Sequence, residues 1–176
     1  MLSKQYGECA CAEAMYDIEM MMLALQRLLS STHDVDFQTA SVDSDDVVEV
    51  LSTSVRQLVT DSKNLVAGAT MSASDLEAKL RVLIEIVMHT LATVFIQCCQ
   101  LVAIDRSSSP PDSAVADVAD NVMDTARSLR TTLEASSAVL ESTDANETEQ
   151  CKNSVLSMAA SLAKSLIALV NKVKTI

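Results

Sequence analysis

Leu76-Glu-Ala-Lys-Leu80-Arg-Val-Leu83-Ile-Glu-Ile-Val87-Met-His-Thr-Leu91-Ala-Thr-Val94-Phe-Ile-Gln-Cys98-Cys-Gln-Leu101 decides the architecture of this chain. Leu76, Leu80, Leu83, Val87, Leu91, Val94, Cys98 and Leu101 recur at spacings of three and four, which places them on one face of an α-helix and on no single face of a strand. A helix over 75–104 would be roughly 45 Å long. Ile84, Met88, Phe95 and Val102 widen the stripe, so this helix is expected to be central and to meet neighbours on more than one side. Ser74-Asp-Leu-Glu77 has the form of a capping box, a serine accepting from a free backbone N–H while the glutamate reaches back.

From Ile86 to Ile104 the segment holds no formally charged residue, a length that must be weighed as a membrane span. It carries His89, Gln97, Gln100 and two threonines, and its heptad pattern continues out of a charged stretch. We therefore read it as a buried bundle helix, with no membrane span.

Outward from this helix the same period recurs in four further blocks. Ile18, Met21, Met22, Leu25, Leu28 and Leu29 mark a helix over 8–30. Val48, Leu51, Val55, Leu58, Ser62, Leu65 and Ala69 mark one over 44–70, capped by Asp43 or Ser44 and opened by the acids Asp45, Asp46 and Glu49. Val115, Val118, Val122, Leu129, Leu133 and Leu140 predict a helix over 113–141, set off from the third by Ser107-Ser-Ser-Pro-Pro-Asp-Ser113. Cys151, Val155, Met158, Leu162, Leu166, Leu169, Val173 and Ile176 predict the last, over 146–175. The expected fold is all-α, an antiparallel up-and-down bundle of five amphipathic helices forming one domain over 1–176, as a module of a longer protein.

Composition agrees. Of 176 residues 49% are hydrophobic and only 2% aromatic, with two glycines, two prolines and no tryptophan, which excludes most all-β folds. Charged residues make up 21% and mean hydropathy is +0.24, too apolar for a disordered chain. The net charge of −11 argues against nucleic-acid binding. Positive charge gathers at the end: residues 151–176 contain Lys152, Lys164, Lys172 and Lys174 and no acid. The simplest reading is a cationic last helix packed beside acidic neighbours; a basic face for an acidic partner is the functional one.

Cys9, Cys11, Cys98, Cys99 and Cys151 are odd in number and lack the spacing of a zinc site. With no signal-peptide pattern at the start, a reducing, cytoplasmic location is expected. Two histidines and two isolated glycines exclude di-iron, zincin, phosphate-loop and nucleophile-elbow motifs, so no enzyme activity, cofactor or metal is expected. Asp43-Ser-Asp-Asp46 lacks the rest of a calcium loop and reads as helix capping. Met20-Met-Met22 reads as core filling. His89 is the one side chain placed for chemistry. Histidine-phosphotransfer bundles carry an exposed mid-helix histidine followed by a lysine, where this chain has Ala92; a structural, partly buried imidazole is the competing reading.

The segment Leu51-Ser-Thr-Ser-Val-Arg-Gln-Leu-Val-Thr-Asp-Ser-Lys-Asn-Leu-Val-Ala-Gly-Ala69 resembles the helices of talin-rod and vinculin-type bundles, including those that talin hands to vinculin. Leu51, Ser54 with Val55, Leu58 with Val59, Leu65 with Val66, and Ala69 fall on that pattern, with Ser54 and Ser62 in place of its usual Ala and Val. The last helix is similar more loosely, through Leu156 and Ala159-Ala160, and the Lys63-Asn-Leu65 segment resembles focal-adhesion-targeting bundles. The resemblance implies a cytoplasmic adaptor or scaffold in cytoskeletal or adhesion complexes, whose partners bind through short amphipathic helices. Lys152, Lys164 and Lys172 are the expected charged contacts, and Leu51, Val55, Leu58 and Leu65 the expected apolar ones. Oligomeric state stays open.

Overall fold

The computed structural model describes residues 2–30, 43–71, 75–106 and 113–176, with the backbone alone over 2–9. Five helices and no strand occur among the described residues: α1 (Leu2–Ser30), α2 (Ser44–Thr70), α3 (Leu76–Arg106), α4 (Ser113–Glu141) and α5 (Ala145–Lys174). The predicted boundaries of α2 and α4 match, whereas α1 begins six residues earlier than its apolar stripe announced. Asp43, not Ser44, caps α2, its carboxylate accepting from the Asp45 backbone N–H at 3.2 Å; Asp144 does the same for α5 from Asn146 at 3.1 Å. Ser74 of the expected capping box and the proline pair before α4 lie outside the described residues.

The helices pack as a ring with one addition. α2 lies against α3, α3 against α4, α4 against α5 and α5 against α2, while α1 packs on α3 and α4 and touches neither α2 nor α5. α3 is thus central, as its wide stripe requires: Leu80, Ile84, Val87, Leu91, Val94, Phe95, Cys98, Leu101 and Val102 are all buried. Aliphatic side chains supply the interior, each Leu or Ile contributing about 1.5–3 kcal/mol on burial.

Four contacts fix how the helices are aligned. Arg106 of α3 donates to the Leu29 carbonyl at the end of α1. Lys172 near the end of α5 meets Asp117 near the start of α4 at 3.4 Å, and Arg130 meets Glu19 at 2.5 Å, joining α4 to α1. Ser44, Val48, Leu101, Val115 and Ile176 surround one shallow depression, so the starts of α2 and α4 and the ends of α3 and α5 share one end of the molecule.

Three seam expectations need correction. Val47 rather than Val48 enters the core, because Val47 stands four residues before Leu51 on the face that Leu51, Val55 and Leu58 continue; Val48 is half-buried. Met158 is exposed, and Cys151 and Ile176 are only half-buried, since α5 meets just α2 and α4 and buries a narrower stripe than a fully enclosed helix. The small and polar residues Ala119, Thr125, Ala126, Thr132 and Ser136 also belong to the α4 interior. The hydroxyls of Thr125, Thr132 and Ser136 each bond the carbonyl four residues earlier at 2.8 Å, which is how they are tolerated there.

Candidate functional site

α1 shows how this ring receives a helix. Cys11, Ala14, Ile18, Leu25 and Leu28, on one face of α1, are all buried between α3 and α4. On the opposite side of the ring, between α2 and α5, the described residues place no such helix, and a groove of about 680 Å³ is left open.

The groove is apolar because of which faces the ring turns outward. From α2 come Val59, Val66 and Ala67; from α5 come Leu156, Ala159, Ala160, Ala163, Ile167 and Val170. Leu156 through Val170 covers about four helical turns, some 21 Å. The alanines keep the α5 wall low, so a second helix axis can approach closely, and Ile167, 62% exposed, stands along the edge with its apolar surface in water. Among the described residues, Lys63 is the charged side chain in the lining, and no carboxylate lines it.

One polar atom in the floor is unusual. Ser62 is 2% exposed, and its Oγ is buried without a hydrogen-bond partner, unlike the hydroxyls of α4. An orphan buried hydroxyl costs on the order of 1–3 kcal/mol. Beside it Asp61 turns the other way, toward α3, where Thr90 Oγ1 donates to it at 2.6 Å; Gln57 Nε2, four residues earlier on α2, donates at 2.9 Å.

The expected site residues divide. Leu51, Val55, Leu58 and Leu65 are fully buried core residues facing the ring interior, so they reach a partner only if α2 leaves the bundle. Lys164 is exposed, one turn beyond the lining residue Ala160, and forms the outer rim of the groove. Lys152 is half-buried one turn before Leu156, and Lys174 follows Val170 by one turn, so these two extend the groove stripe at its ends. Lys172 points to the α4 side, paired with Asp117. Lys63 was missed by the sequence reading; its position next to Ser62, four residues after Val59, was the available signal.

His89 is exposed rather than partly buried, on the face of α3 directly opposite the core. Its neighbours on that face are Val82, Ile86, Thr93 and Ile96, with no cation one turn to either side, where Glu85, Ile86, Ala92 and Thr93 stand. Cys98 is buried in the core, its thiol pushed up to about 12 by burial and by the adjacent Cys99, whose own pKa burial also raises. Neither is a nucleophile at neutral pH. No group of three or more metal-ligating side chains occurs among the described residues. By length and composition alone, α3 and α5 are each apolar enough to cross a bilayer. No protein-family model matches the chain, and no curated protein matches it.

Proposed function

We propose that this chain is a non-catalytic interaction module, an antiparallel up-and-down five-helix bundle that binds an amphipathic helix of a protein partner in the α2/α5 groove. The carrying observation is the asymmetry of the ring: α1 fills the α3/α4 side with aliphatic anchors, and the opposite α2/α5 side offers an apolar groove of about 680 Å³ in which no described helix lies. Helix-in-groove recognition uses anchors at i, i+3, i+4 and i+7, and the length of apolar wall on α5 suits four such turns. The shared end formed by Ser44, Leu101, Val115 and Ile176 supports the antiparallel order of α2 to α5.

Charge selects the partner's rim. With Lys63 and Lys164 flanking the groove and Lys152 and Lys174 at its ends, a helix bearing acids beside its apolar anchors is favoured, and rim pairs of this kind act chiefly on association rate and orientation. A role in cytoskeletal or adhesion complexes at the cytoplasmic side rests on the resemblance of α2 to talin-rod and vinculin-type helices.

The test is binding of acidic amphipathic peptides to Lys63→Glu with Lys164→Glu, and separately to Lys152→Glu with Lys164→Glu. Both double variants fold and lose binding about tenfold or more, while Lys172→Glu, on the far side, binds as the parent does. Unchanged binding by the two rim variants contradicts the groove assignment. A histidine-phosphotransfer role keeps one supporting observation, the exposed His89; a stable phosphohistidine formed with a phosphodonor and abolished by His89→Ala would favour it over the groove.

A further inference from the structure

Val59, Ser62 and Val66 follow one another at spacings of three and four along α2, and all three line the groove, with Leu162 and Leu166 of α5 in the opposite wall. Every neighbour in this stripe is aliphatic, yet its middle member ends in a hydroxyl. Ser62 is 2% exposed, and its Oγ has no hydrogen-bond partner. Its own helix does not satisfy it. Thr53, Thr60 and Thr70 of α2 each donate to the carbonyl four residues earlier, whereas Ser62 makes no such bond. Nor does the adjacent acid, since Asp61 takes its donors from Thr90 and Gln57. A buried hydroxyl left in this state is rare in a folded chain and calls for a reason outside the fold itself.

Lys63 comes next in the chain, lines the same groove and is exposed. None of the ion pairs among the described residues includes it. The chain has 24 acidic residues against 13 basic ones, but no carboxylate among the described residues lines this groove. A hydroxyl and an ammonium therefore stand side by side on one wall with no anion between them. A carboxylate matches both: one oxygen accepts from the Ser62 hydroxyl and the other faces the Lys63 ammonium, and bonds to an ionised acceptor are the short, strong ones. Because Lys63 is exposed, such a pair keeps contact with water and avoids the full cost of burying an ion. Reach separates the two acidic side chains. Ser62 is buried while Val59 and Val66 on either side are only half-buried, so the hydroxyl lies low in the groove, where glutamate extends further than aspartate.

Resting on the helix-in-groove reading, we propose that Ser62 and Lys63 form a subsite for a single glutamate set among the apolar anchors of the bound helix, which makes Ser62 a specificity-determining residue. The unpaired hydroxyl belongs to the complex and not to the free chain. A helix with aliphatic anchors alone leaves it unpaired, and a site holding a buried polar group discriminates against ligands that fail to pair it. The free chain is less stable for carrying this hydroxyl, and the complex is more selective.

The experiment titrates the intact chain with a synthetic peptide of about four helical turns bearing leucines at i, i+3, i+4 and i+7, and with four further peptides in which one glutamate replaces each leucine in turn. Affinities are read by calorimetry for the parent, Ser62→Ala and Lys63→Met. One glutamate peptide binds the parent at least as tightly as the all-leucine peptide does, and the other three bind about tenfold or more weakly. Ser62→Ala loses about tenfold for that one peptide and nothing for the all-leucine peptide, although its own stability in urea rises; a structural role would move both affinities together. Aspartate or glutamine in place of the favoured glutamate weakens binding to the parent, and Lys63→Met no longer tells glutamate from glutamine. If the all-leucine peptide binds while all four glutamate peptides are weakened, or if Ser62→Ala binds every peptide as the parent does, the subsite is overturned and the groove stands. If no peptide binds the parent, the subsite falls together with the groove.

Discussion

Thr90 Oγ1 lies 2.6 Å from Asp61 Oδ2 across the α2/α3 interface, a hydroxyl donating to a carboxylate that is 5% exposed. Gln57 Nε2 donates to the other oxygen at 2.9 Å, and no Lys or Arg reaches this carboxylate among the described residues. Two neutral donors therefore hold a buried acid that joins the middle of two helices.

Removing one donor leaves that acid under-satisfied. Thr90→Val keeps the shape and deletes the hydroxyl, and is expected to cost about 1–3 kcal/mol in urea unfolding. Thr90→Ser restores the bond and recovers most of the loss. A Thr90→Val chain within about 0.5 kcal/mol of the parent would show that the bond carries no net stability.

At the neighbouring position the sign reverses. Ser62→Ala removes a buried hydroxyl with no partner and substitutes a better helix former, so unfolding stability rises by about 1 kcal/mol or more. Thr132→Ala is the control, because its hydroxyl bonds the Ser128 carbonyl at 2.8 Å. Loss of stability in Ser62→Ala would mean that the hydroxyl has an interaction worth keeping.

The thiol of Cys98 gives a pH dependence. Burial keeps it protonated in the folded chain up to about 12, above the ordinary value of 9.0, so between those values the unfolded chain has lost a proton that the folded chain retains. Its contribution to stability is complete below pH 9.0 and declines as pH rises toward 12. Cys98→Ala should flatten this alkaline decline. Iodoacetamide at pH 8 should spare Cys98 in the native chain and modify it once urea unfolds the protein; rapid native alkylation would contradict its placement in the core.

Gly68 of α2 faces Leu83 of α3, and a Cβ there would run into Leu83 Cδ1. Leu83 is half-buried and can turn aside at some cost, while alanine gains about 1 kcal/mol of helix propensity. Gly68→Ala alone is thus expected within about 1 kcal/mol of the parent, and Gly68→Ala in a Leu83→Ala background to be stabilising by about the full propensity difference. Equal effects in both backgrounds would mean that the two residues do not meet.

Much of the fold is written in periodicity. The stripe from Leu80 to Leu101 announced a central helix, and α2 and α4 took the limits set by Asp43, the end of the Leu51–Ala69 pattern, and the break before Ser113. Periodicity reports that a face is apolar, not what covers it, so Met158 was placed on the buried stripe of α5 although it is exposed. Small and polar interior residues such as Thr132 and Ser136 were illegible because their fitness depends on a hydrogen bond within their own helix. The groove was legible only in part: Lys164 and Lys152 stood out as charge in an acid-free segment, whereas Lys63 acquires its place only when α2 and α5 are brought side by side.

The groove can be mapped directly by methyl and amide NMR of the chain titrated with a synthetic peptide of about four helical turns, leucines at i, i+3, i+4 and i+7 and glutamates flanking them. Shifts concentrated at Val59, Val66, Ala160, Ala163 and Ile167, with the α1 anchors Ile18 and Leu25 unmoved, are the predicted result. Saturable shifts centred on α1, α3 or α4 instead, or an absence of saturable shifts along the α2/α5 walls, would contradict the account.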